Sequence, residues 1–396
     1  MGEVKKKRKQ KRRIALLKRS VLVLVVLLMG LMLVHCGTAK KEKDENTQQT
    51  ENTQQAGLAG SEMIEESQSV ENTEEEFQVI EPEISDFTMF FTGDVMIQRC
   101  TDLYDSEGIN RIISEYIEQE MNSADMTMIN NEFPFSNRGS QHPDKQFTFR
   151  VDPKYVSMLQ DMGVDVASLA NNHALDFGTE ALLDSFTTLE DAGIPYVGAG
   201  ETKERAEEAV FVEAGGRTIG VLSASRVIPV VEWNIETRQP GLFCTYDSTR
   251  LVQRIKEVEE QCDYVVVFVH WGIEREAYPE EYQHNLAKQY IDAGADLVIG
   301  NHAHVPQGIE YYKGVPIVYC MGNFIFNPDM TDTYALKAVW DAEGNTSLQV
   351  IPVDTENYYT SELTGEEAQV FYDYLEGISF GVSIDENGFV TDTAAE

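Results

Sequence analysis

The sequence predicts a large α/β domain, and two observations indicate this fold class. From Phe87 onward, short apolar runs with β propensity alternate with amphipathic stretches of helical periodicity, which is typical of sheets covered by helices. Two of the predicted helices also lead into the following strand through a similar turn. In these turns Gly193 and Gly294 occupy the position just after the helix, which favours glycine.

The predicted elements follow this alternation along the chain. The strands are predicted over Phe87–Met96, Asp125–Asn130, Asp165–Leu169, Thr218–Ser223, Tyr264–His270, Asp296–Ile299 and Ile317–Cys320. The helices are predicted over 108–121, 153–162, 178–192, 248–261 and 281–293. Residues 333–354 are expected to form a hairpin around Ala342-Glu343-Gly344-Asn345, residues 364–378 a terminal helix, and residues 383–396 a loose, acidic end.

The N-terminal region has the pattern of a membrane tether. Residues 1–20 contain ten lysines and arginines and one acidic residue, and the apolar run Val21–Val34 follows directly. This order predicts a basic cytoplasmic head over 1–20 and a transmembrane signal anchor over 21–39. A cleaved signal peptide and a lipoprotein signal ending at Cys36 are the alternatives. All three place the rest of the chain outside the cytoplasm. The anchor is the favoured alternative, and it predicts a single-pass protein of the cell membrane whose main domain is extracellular.

Residues 40–86 are predicted to be a disordered acidic linker, because they are rich in polar residues and nearly lack aromatic ones. A flexible coil of this length has a mean reach of roughly 35–40 Å. The main domain is assigned to 87–355, and a C-terminal helix with an acidic tail to 356–396. The chain carries a formal net charge of −36, and its basic residues are concentrated in the head. Nucleic acid is therefore excluded as a partner, since the acidic body would repel it.

Polar side chains follow five of the predicted strands, at the point where each strand ends. Sites of α/β proteins form at the carboxyl ends of strands, so we expect these side chains to lie together. They are Asp94, Glu132, Asn172 with His173, His270, and His302 with His304. Imidazole, carboxylate and amide ligands in combination suit Mn, Zn, Fe or a similar divalent transition metal. The pattern predicts a site for two such ions, with Glu132 as the bridging carboxylate.

Two further residues are candidate catalytic groups. His173 could protonate a leaving oxygen, and Asp176 could orient its imidazole. Each motif taken singly also has a structural interpretation, because a strand-end aspartate is common and Asn172 or Asp176 could cap a helix. Four of the seven histidines fall at such strand ends, which favours the metal site. The residues Glu274, Arg226 and Asn323 are candidate substrate contacts, and each could equally be a structural polar group.

The motifs resemble the CapA family of capsule synthesis proteins, which is associated with poly-γ-glutamate and is similar to the calcineurin-like metallophosphoesterases. The resemblance covers residues 87–326. It is carried by Leu169-Ala170-Asn171-Asn172-His173-Ala174-Leu175-Asp176, Gly198-Ala199-Gly200, His270-Trp271-Gly272-Ile273-Glu274, Gly300-Asn301-His302-Ala303-His304-Val305-Pro306-Gln307 and Met321-Gly322-Asn323-Phe324.

The resemblance implies a four-layer α-β-β-α sandwich of metallophosphoesterase type and assigns roles within it. Asp94 matches the opening aspartate of the phosphoesterase pattern, and Glu132 stands where a bridging aspartate is usual. The remaining ligand candidates match the Asn-His motif, the lone histidine and the closing histidine pair. Met96 departs from the pattern, since phosphoesterases have a histidine at that position. One of the two metal positions is therefore expected to be built differently.

Three functions are consistent with the sequence. The first is a component of capsule or poly-γ-glutamate synthesis or export, whose metal ions also attract an anionic cell-surface polymer. The second is a metal-dependent hydrolase acting on a phosphoester or on such a polymer. The third is a non-catalytic, polymer-binding structural component. The expected partners are the membrane, an anionic polymer or phosphoester, and other capsule-synthesis membrane proteins.

Overall fold

Two β-sheets that face each other organise residues 83–143 and 145–394, the part of the chain that the computed structural model describes. The strands are β1 Phe87–Val95, β2 Met126–Asn131, β3 Val166–Ser168, β4 Tyr196–Val197, β5 Ala199–Gly200, β6 Val210–Ala214, β7 Arg217–Ser225, β8 Gly241–Leu242, β9 Tyr264–His270, β10 Leu297–Asn301, β11 Pro306–Tyr312, β12 Val315–Met321, β13 Asn323–Ile325, β14 Met330–Trp340, β15 Thr346–Glu356, β16 Tyr359–Glu362, β17 Val382–Ile384 and β18 Phe389–Asp392. The helices are α1 Thr101–Glu107, α2 Glu115–Ser123, α3 Val156–Asp161, α4 Thr179–Asp191, α5 Lys203–Ala206, α6 Thr249–Glu259, α7 Glu281–Ala293 and α8 Gly365–Ile378.

The larger sheet has the strand order β17-β18-β15-β14-β1-β2-β3-β4, with β13 and β16 pairing with β1 and β15 beside this path. Strands β1 to β4 are parallel, whereas β14 and β15 are antiparallel to their neighbours. The second sheet has the order β11-β12-β10-β9-β7-β6 and a parallel centre formed by β7, β9, β10 and β12. Strands β5 and β8 form a separate two-stranded sheet. The predicted α/β class is confirmed.

Alternating side chains along the central strands separate the core into layers. In the larger sheet, Met128 packs between the sheets while Ile129 packs on the outer face with the helices α2, α3 and α4. In the second sheet, Val266 packs between the sheets while Val267 packs on the outer face with α6 and α7. Successive strand residues point to opposite faces, so these runs are apolar throughout because both faces of each sheet are buried.

Several predicted elements are confirmed. Strand Tyr264–His270 and helix 281–293 have the predicted bounds, and the helices predicted over 178–192 and 248–261 differ by one or two residues at each end. The predicted hairpin is formed by β14 and β15, and the terminal helix is α8.

Two predictions of local structure are wrong. The helix predicted over 108–121 begins only at Glu115, because Gly108 with φ 76° ends α1 and Ser114 Oγ accepts a hydrogen bond from the Ile117 N–H and caps α2. The C-terminal end was predicted to be loose from residue 383 onward, but the structure shows it to be ordered up to residue 394. Strands β17 and β18 pair with each other and with β15, and Ile384 and Val390 pack into the core between the sheets.

The predicted head 1–20, the predicted anchor 21–39 and residues 40–82 of the predicted linker lie outside the described residues. Across residues 83–143 and 145–394, no helix is both long and apolar enough to cross a bilayer.

Candidate metal centre

The strand register brings the predicted ligands to one edge of the two sheets. In the larger sheet, Asp94 of β1 lies opposite Asn130 of β2, which lies opposite Ser168 of β3. In the second sheet, His270 at the end of β9 lies opposite Asn301 at the end of β10. The loops that follow these strands carry the remaining ligand candidates, so the sheet geometry places all of them at the carboxyl ends of parallel strands.

Asp94 is buried among donors from both sheets. The Asn130 side chain donates a hydrogen bond from Nδ2 to Asp94 Oδ1 at 2.7 Å. The backbone N–H of His302 lies 3.3 Å from both carboxylate oxygens, and His304 Nδ1 lies 3.1 Å from Oδ2. These contacts fix the carboxylate where the two sheets meet.

Glu132 is shared by two groups of potential ligands. One group contains Glu132, His302 and His304, and the other contains Glu132, Asp94 and His270. Within each group the ligand atoms lie within 4.8 Å of one another. Glu132 Oε2 is buried and has no hydrogen-bond partner among the described residues. Burial, and then the charge of Asp94, raises the pKa of Glu132 well above its usual value. A carboxylate common to both groups, with one unbonded oxygen, has the position that a bridging ligand requires.

Three imidazoles lie close together and differ in protonation. The ring centroids of His270 and His302 are 4.5 Å apart. Burial lowers the pKa of His302 to about 3 and that of His270 well below its usual value, so both rings are neutral, the form that binds metal. Burial also acts to lower the pKa of His304, but the hydrogen bond to Asp94 and the charge of Glu132 outweigh it and raise the pKa to about 10.

The backbone is strained around the closing histidine pair. His302 and His304 have φ of 99° and 59°, and Arg275, whose N–H donates to Ala303 O at 2.7 Å, has φ of 67°. Such conformations cost about 1–3 kcal/mol each for residues other than glycine, and they concentrate at functional sites. The hydrogen bonds from the His302 N–H to Asp94 help to hold this geometry.

Two glycines allow close packing behind the ligands. A Cβ at Gly93 would lie 2.0 Å from Gly322 O, and a Cβ at Gly300 would lie 2.0 Å from Tyr319 O and 2.2 Å from Trp271 Nε1. Trp271 Nε1 donates to Tyr319 O at 2.9 Å, so this bond occupies the space beside Gly300. A side chain at Gly93 would displace β1 and the ligand candidate Asp94 that follows it. A side chain at Gly300 would displace β10, which leads to His302.

His173 and Asp176 form a second cluster beside the ligands. Asp176 Oδ2 lies 2.7 Å from His173 Nδ1 and also accepts a hydrogen bond from the Phe149 N–H at 2.7 Å. Asn172 Oδ1 lies 3.0 Å from His270 Nε2, which connects this turn to the imidazoles. Burial lowers the pKa of His173, although the hydrogen bond to Asp176 acts in the opposite direction. The contact through Nδ1 fixes the ring and leaves Nε2 for a ligand.

Lys145 is a residue of this cluster that the sequence analysis missed. Its Nζ forms an ion pair with Asp176, donates to the backbone oxygen of Asn172 and lies 3.1 Å from His173 Nδ1. It also lies 5.3 Å from the centroid of the Trp233 ring. Burial lowers the pKa of Lys145, against the opposing charge of Asp176. The residue belongs to a polar loop without a motif, so nothing in the sequence pointed to it.

Asn130 was also missed, although the sequence carried a signal for it. Its Nδ2 lies 2.7 Å from Asp94 Oδ1, 3.1 Å from Glu132 Oε1 and 3.2 Å from His270 Nδ1. Its Oδ1 accepts a hydrogen bond from Asn171 Nδ2 at 3.2 Å. Asn130 lies near the end of β2, so the strand-end argument that selected Glu132 applies to it as well.

Comparison with known proteins identifies the family. The sequence profile described as "Bacterial capsule synthesis protein PGA_cap" matches residues 88–328. The "PGA biosynthesis protein CapA" of Bacillus subtilis (strain 168) is 30% identical over 273 residues, which cover 67% of this chain and 70% of that protein. The "Capsule biosynthesis protein CapA" of Bacillus anthracis is 30% identical over 299 residues, which cover 72% of this chain and 71% of that protein. The chain belongs to the PGA_cap family.

A solved structure is also similar to this PGA_cap protein. It is a hypothetical protein from Thermus thermophilus, with a TM-score of 0.41 and 20% sequence identity. The similarity covers 67% of this chain and 99% of that chain.

The position that departs from the phosphoesterase pattern lies in the core of this PGA_cap protein. Met96 is 2% exposed and packs with the apolar cluster on the outer face of the larger sheet. Its backbone N–H donates to Ile325 O at 2.6 Å. The two ligand groups that the structure assembles contain only carboxylates and the histidines of the second sheet.

The three candidate substrate contacts lie in different surroundings. Asn323 Oδ1 lies 2.8 Å from His304 Nδ1, so Asn323 belongs to the cluster. Arg226 follows β7, and its backbone N–H donates to His270 O at 2.7 Å. Glu274 is exposed and forms no hydrogen bond or ion pair with another described residue.

Proposed function

We propose that this PGA_cap protein takes part in the synthesis or export of an anionic, polyglutamate-type capsule polymer, and that it acts with two bound divalent transition-metal ions, Mn, Zn or Fe. Family membership and the names of the two Bacillus relatives support the biological setting. The chemistry of the candidate metal centre supports the cofactor.

The observation that carries the cofactor proposal is a buried ligand set with unused donor atoms. Glu132 Oε2 and His302 Nδ1 are both buried without a hydrogen-bond partner among the described residues. Such atoms are costly unless a ligand bonds to them. The residues that would hold the ions are Asp94, Glu132, Asn172, His270, His302 and His304. When bound, the ions supply Lewis-acid activation and positive charge.

A metal-dependent hydrolase of a phosphoester or of a cell-surface polymer is the second candidate function. The contact between His173 and Asp176 favours it, because an oriented imidazole beside a metal centre can donate a proton to a leaving oxygen. In this proposal Lys145 positions Asp176, and Asp176 positions the His173 ring. A third candidate is a structural component that binds polymer without catalysis.

We also propose the finer architecture and the location. Helices cover the outer faces of both facing sheets, which supports the four-layer sandwich of metallophosphoesterase type. The basic residues of the head and the apolar run after them support a membrane-anchored protein whose domain acts outside the cytoplasm. Other membrane proteins of capsule synthesis are its proposed partners.

Metal analysis of the full-length protein in detergent tests the centre. After reconstitution with Mn or Zn and removal of unbound ions, we expect two ions per chain in the wild type. His302→Ala should retain at most one ion, because His302 belongs to the group of potential ligands that also contains Glu132 and His304. His284→Asn is the matched control, since His284 contacts Glu310 and Tyr319 instead. A wild type without metal contradicts the proposal.

An activity panel then separates the candidate functions. The metal-loaded protein is incubated with phosphomonoesters, phosphodiesters and poly-γ-glutamate. The hydrolase predicts activity that falls about 100- to 10,000-fold in His173→Ala, the range for loss of a general acid. Absence of hydrolysis in both proteins, with the polymer still bound by the wild type, favours the role in assembly. Activity that is equal in both proteins contradicts the proposed role of His173.

A further inference from the structure

Arg226 lies at the edge of the metal centre without an acidic partner. It follows the last residue of β7, Ser225, which lies opposite His270, and its backbone N–H donates to His270 O at 2.7 Å. Its guanidinium forms no ion pair or hydrogen bond with another residue of the described part of the chain. Residues 83–396 contain 54 aspartates and glutamates against 18 lysines and arginines. An arginine that avoids acidic neighbours in such surroundings is available to a ligand.

Two tyrosine rings hold the Arg226 guanidinium in place. Its Cζ lies 4.2 Å from the ring centroid of Tyr246 and 5.2 Å from that of Tyr282. The rings are themselves anchored, because Tyr282 OH accepts a hydrogen bond from the Gly272 N–H at 2.7 Å and Tyr246 OH accepts one from the Ile228 N–H at 3.2 Å. The rings attract the guanidinium through their π faces and do not accept its N–H groups, so these groups remain able to donate to a ligand.

We propose that Arg226 is the residue with which this centre recognises an oxyanion of its ligand, a carboxylate or a phosphate. The guanidinium edge presents two parallel N–H groups that match two oxygens of such a group. The tyrosines restrict the side chain before the ligand arrives, which reduces the entropy lost on binding. The inference rests on the proposed function for the location of the ligand, because Arg226 contacts the backbone of the candidate metal ligand His270.

Binding measurements with two probes test this role. Full-length protein in detergent, loaded with Mn, is titrated calorimetrically with a γ-linked glutamate pentamer and, separately, with inorganic phosphate. We expect Arg226→Gln to weaken binding of at least one probe about 10- to 100-fold, the range for hydrogen bonds to a charged group. Arg226→Lys should also weaken it, because lysine keeps the charge but loses the paired N–H groups. If the affinity falls only for the glutamate pentamer, the recognised oxyanion is a carboxylate. If it falls only for inorganic phosphate, the recognised oxyanion is a phosphate.

Arg217→Gln is the matched control. Arg217 is the first residue of β7, whereas Arg226 follows the last, so the two arginines lie at opposite ends of this strand. The Arg217 guanidinium lies 5.5 Å from the centroid of the Tyr264 ring. This control variant should leave the affinities for both probes unchanged.

Equal binding by wild type and Arg226→Gln overturns the inference, as does a metal-loaded wild type that binds neither probe. Metal content is measured in every sample, so a wild type without metal shows instead that the proposed function fails. Loss of metal or of the thermal transition in both Arg226 variants assigns the residue a structural role and also overturns the inference.

Discussion

At the scale of single residues, Asp94 and Glu132 set the energetics of the site. Both carboxylates are fully buried, and His304, whose pKa is raised to about 10, lies 3.1 Å from Asp94 Oδ2 and offsets the charge of that carboxylate. Two buried like charges destabilise a fold unless cations compensate them. Glu132, whose Oε2 has no hydrogen-bond partner among the described residues, is therefore expected to lower the stability of the protein when no metal is bound.

This argument predicts opposite effects of Glu132→Gln on stability and on metal binding. Burial and the charge of Asp94 raise the pKa of Glu132 in the fold, which destabilises the folded protein at neutral pH. The amide does not ionise and removes this penalty, so the variant in EDTA should be about 1–3 kcal/mol more stable than the wild type in EDTA. The same variant should bind fewer metal ions and gain less stability from Mn, because a bound ion stabilises only the folded state that holds it. Chemical denaturation with EDTA and with Mn measures both effects.

Glu207→Gln is the control for that experiment. Glu207 is also buried, but it forms an ion pair with Arg250 and its backbone oxygen accepts a hydrogen bond from Arg254. Its replacement should therefore destabilise the protein equally with and without metal. A destabilised Glu132→Gln in EDTA would contradict the interpretation of Glu132 as an uncompensated charge.

At the scale of elements, the sequence predicts the site well where a residue follows a long apolar strand. The run before His270 is rich in valine and reads as a strand buried on both faces, so both its bounds and the imidazole at its end were predicted. The short strands β5 and β8 and the edge strand β6, whose residues alternate between partial burial and exposure, were not predicted. These three elements carry too little apolar periodicity for recognition, whereas the equally short β3 and β10 were predicted because their residues are mostly apolar and buried.

Loop residues of the site are the part that the sequence could not provide. Lys145 and Trp233 approach each other from loops that are 88 positions apart in the numbering, and their contact depends on how the sheets bring those loops together. Neither loop has a repeating pattern, so no local rule pairs them. The strand-end rule relies only on local periodicity, which is why it found the ligands and missed these neighbours.

The outer face of the second sheet offers a prediction with a pH dependence. Glu310 of β11 accepts a hydrogen bond from Tyr319 OH at 2.6 Å and lies 3.0 Å from Lys288 Nζ. Burial alone would raise the pKa of Glu310, but these contacts lower it below its usual 4.5. A lowered carboxyl pKa stabilises the fold above pH 4.5, and this contribution is lost as pH falls through the folded-state pKa.

Glu310→Gln should therefore destabilise the protein by about 1–3 kcal/mol at pH 7, and the difference should shrink as pH falls below 4.5. Urea denaturation at several pH values measures it. Glu343→Gln, in the exposed turn between β14 and β15, should leave stability unchanged at every pH. A destabilisation by Glu310→Gln that does not vary with pH would show that packing, not charge, is responsible.

At the scale of the whole molecule, charge is divided unequally along the chain. Residues 1–82 carry 13 lysines and arginines and 13 acidic residues, so the entire formal charge of −36 belongs to residues 83–396. Such a body is repelled by anionic lipid surfaces and by polyanions. Long-range attraction cannot bring an anionic polymer to this domain, so the proposed binding of such a polymer requires local cations, which the proposed metal ions and Arg226 would supply.

The proposed membrane attachment would keep the acidic domain near its proposed substrate, and Cys36→Ser distinguishes the anchor from the lipoprotein signal. If residues 21–39 form an uncleaved anchor, the variant should sediment with membranes as the wild type does, and its domain should be degraded by protease added to intact cells. Thr38→Ser, two positions further on, is the matched control.

If Cys36 carries a lipid instead, Cys36→Ser should lose labelling by a radioactive fatty acid and accumulate as a longer precursor, whereas Thr38→Ser should do neither. The anchor is the expected outcome, because the apolar run follows ten basic residues and His35 differs from the small residue that normally precedes a lipidated cysteine. Protection of the domain in intact cells would contradict the outward orientation for either mode, since both place residues 83–396 outside the cytoplasm.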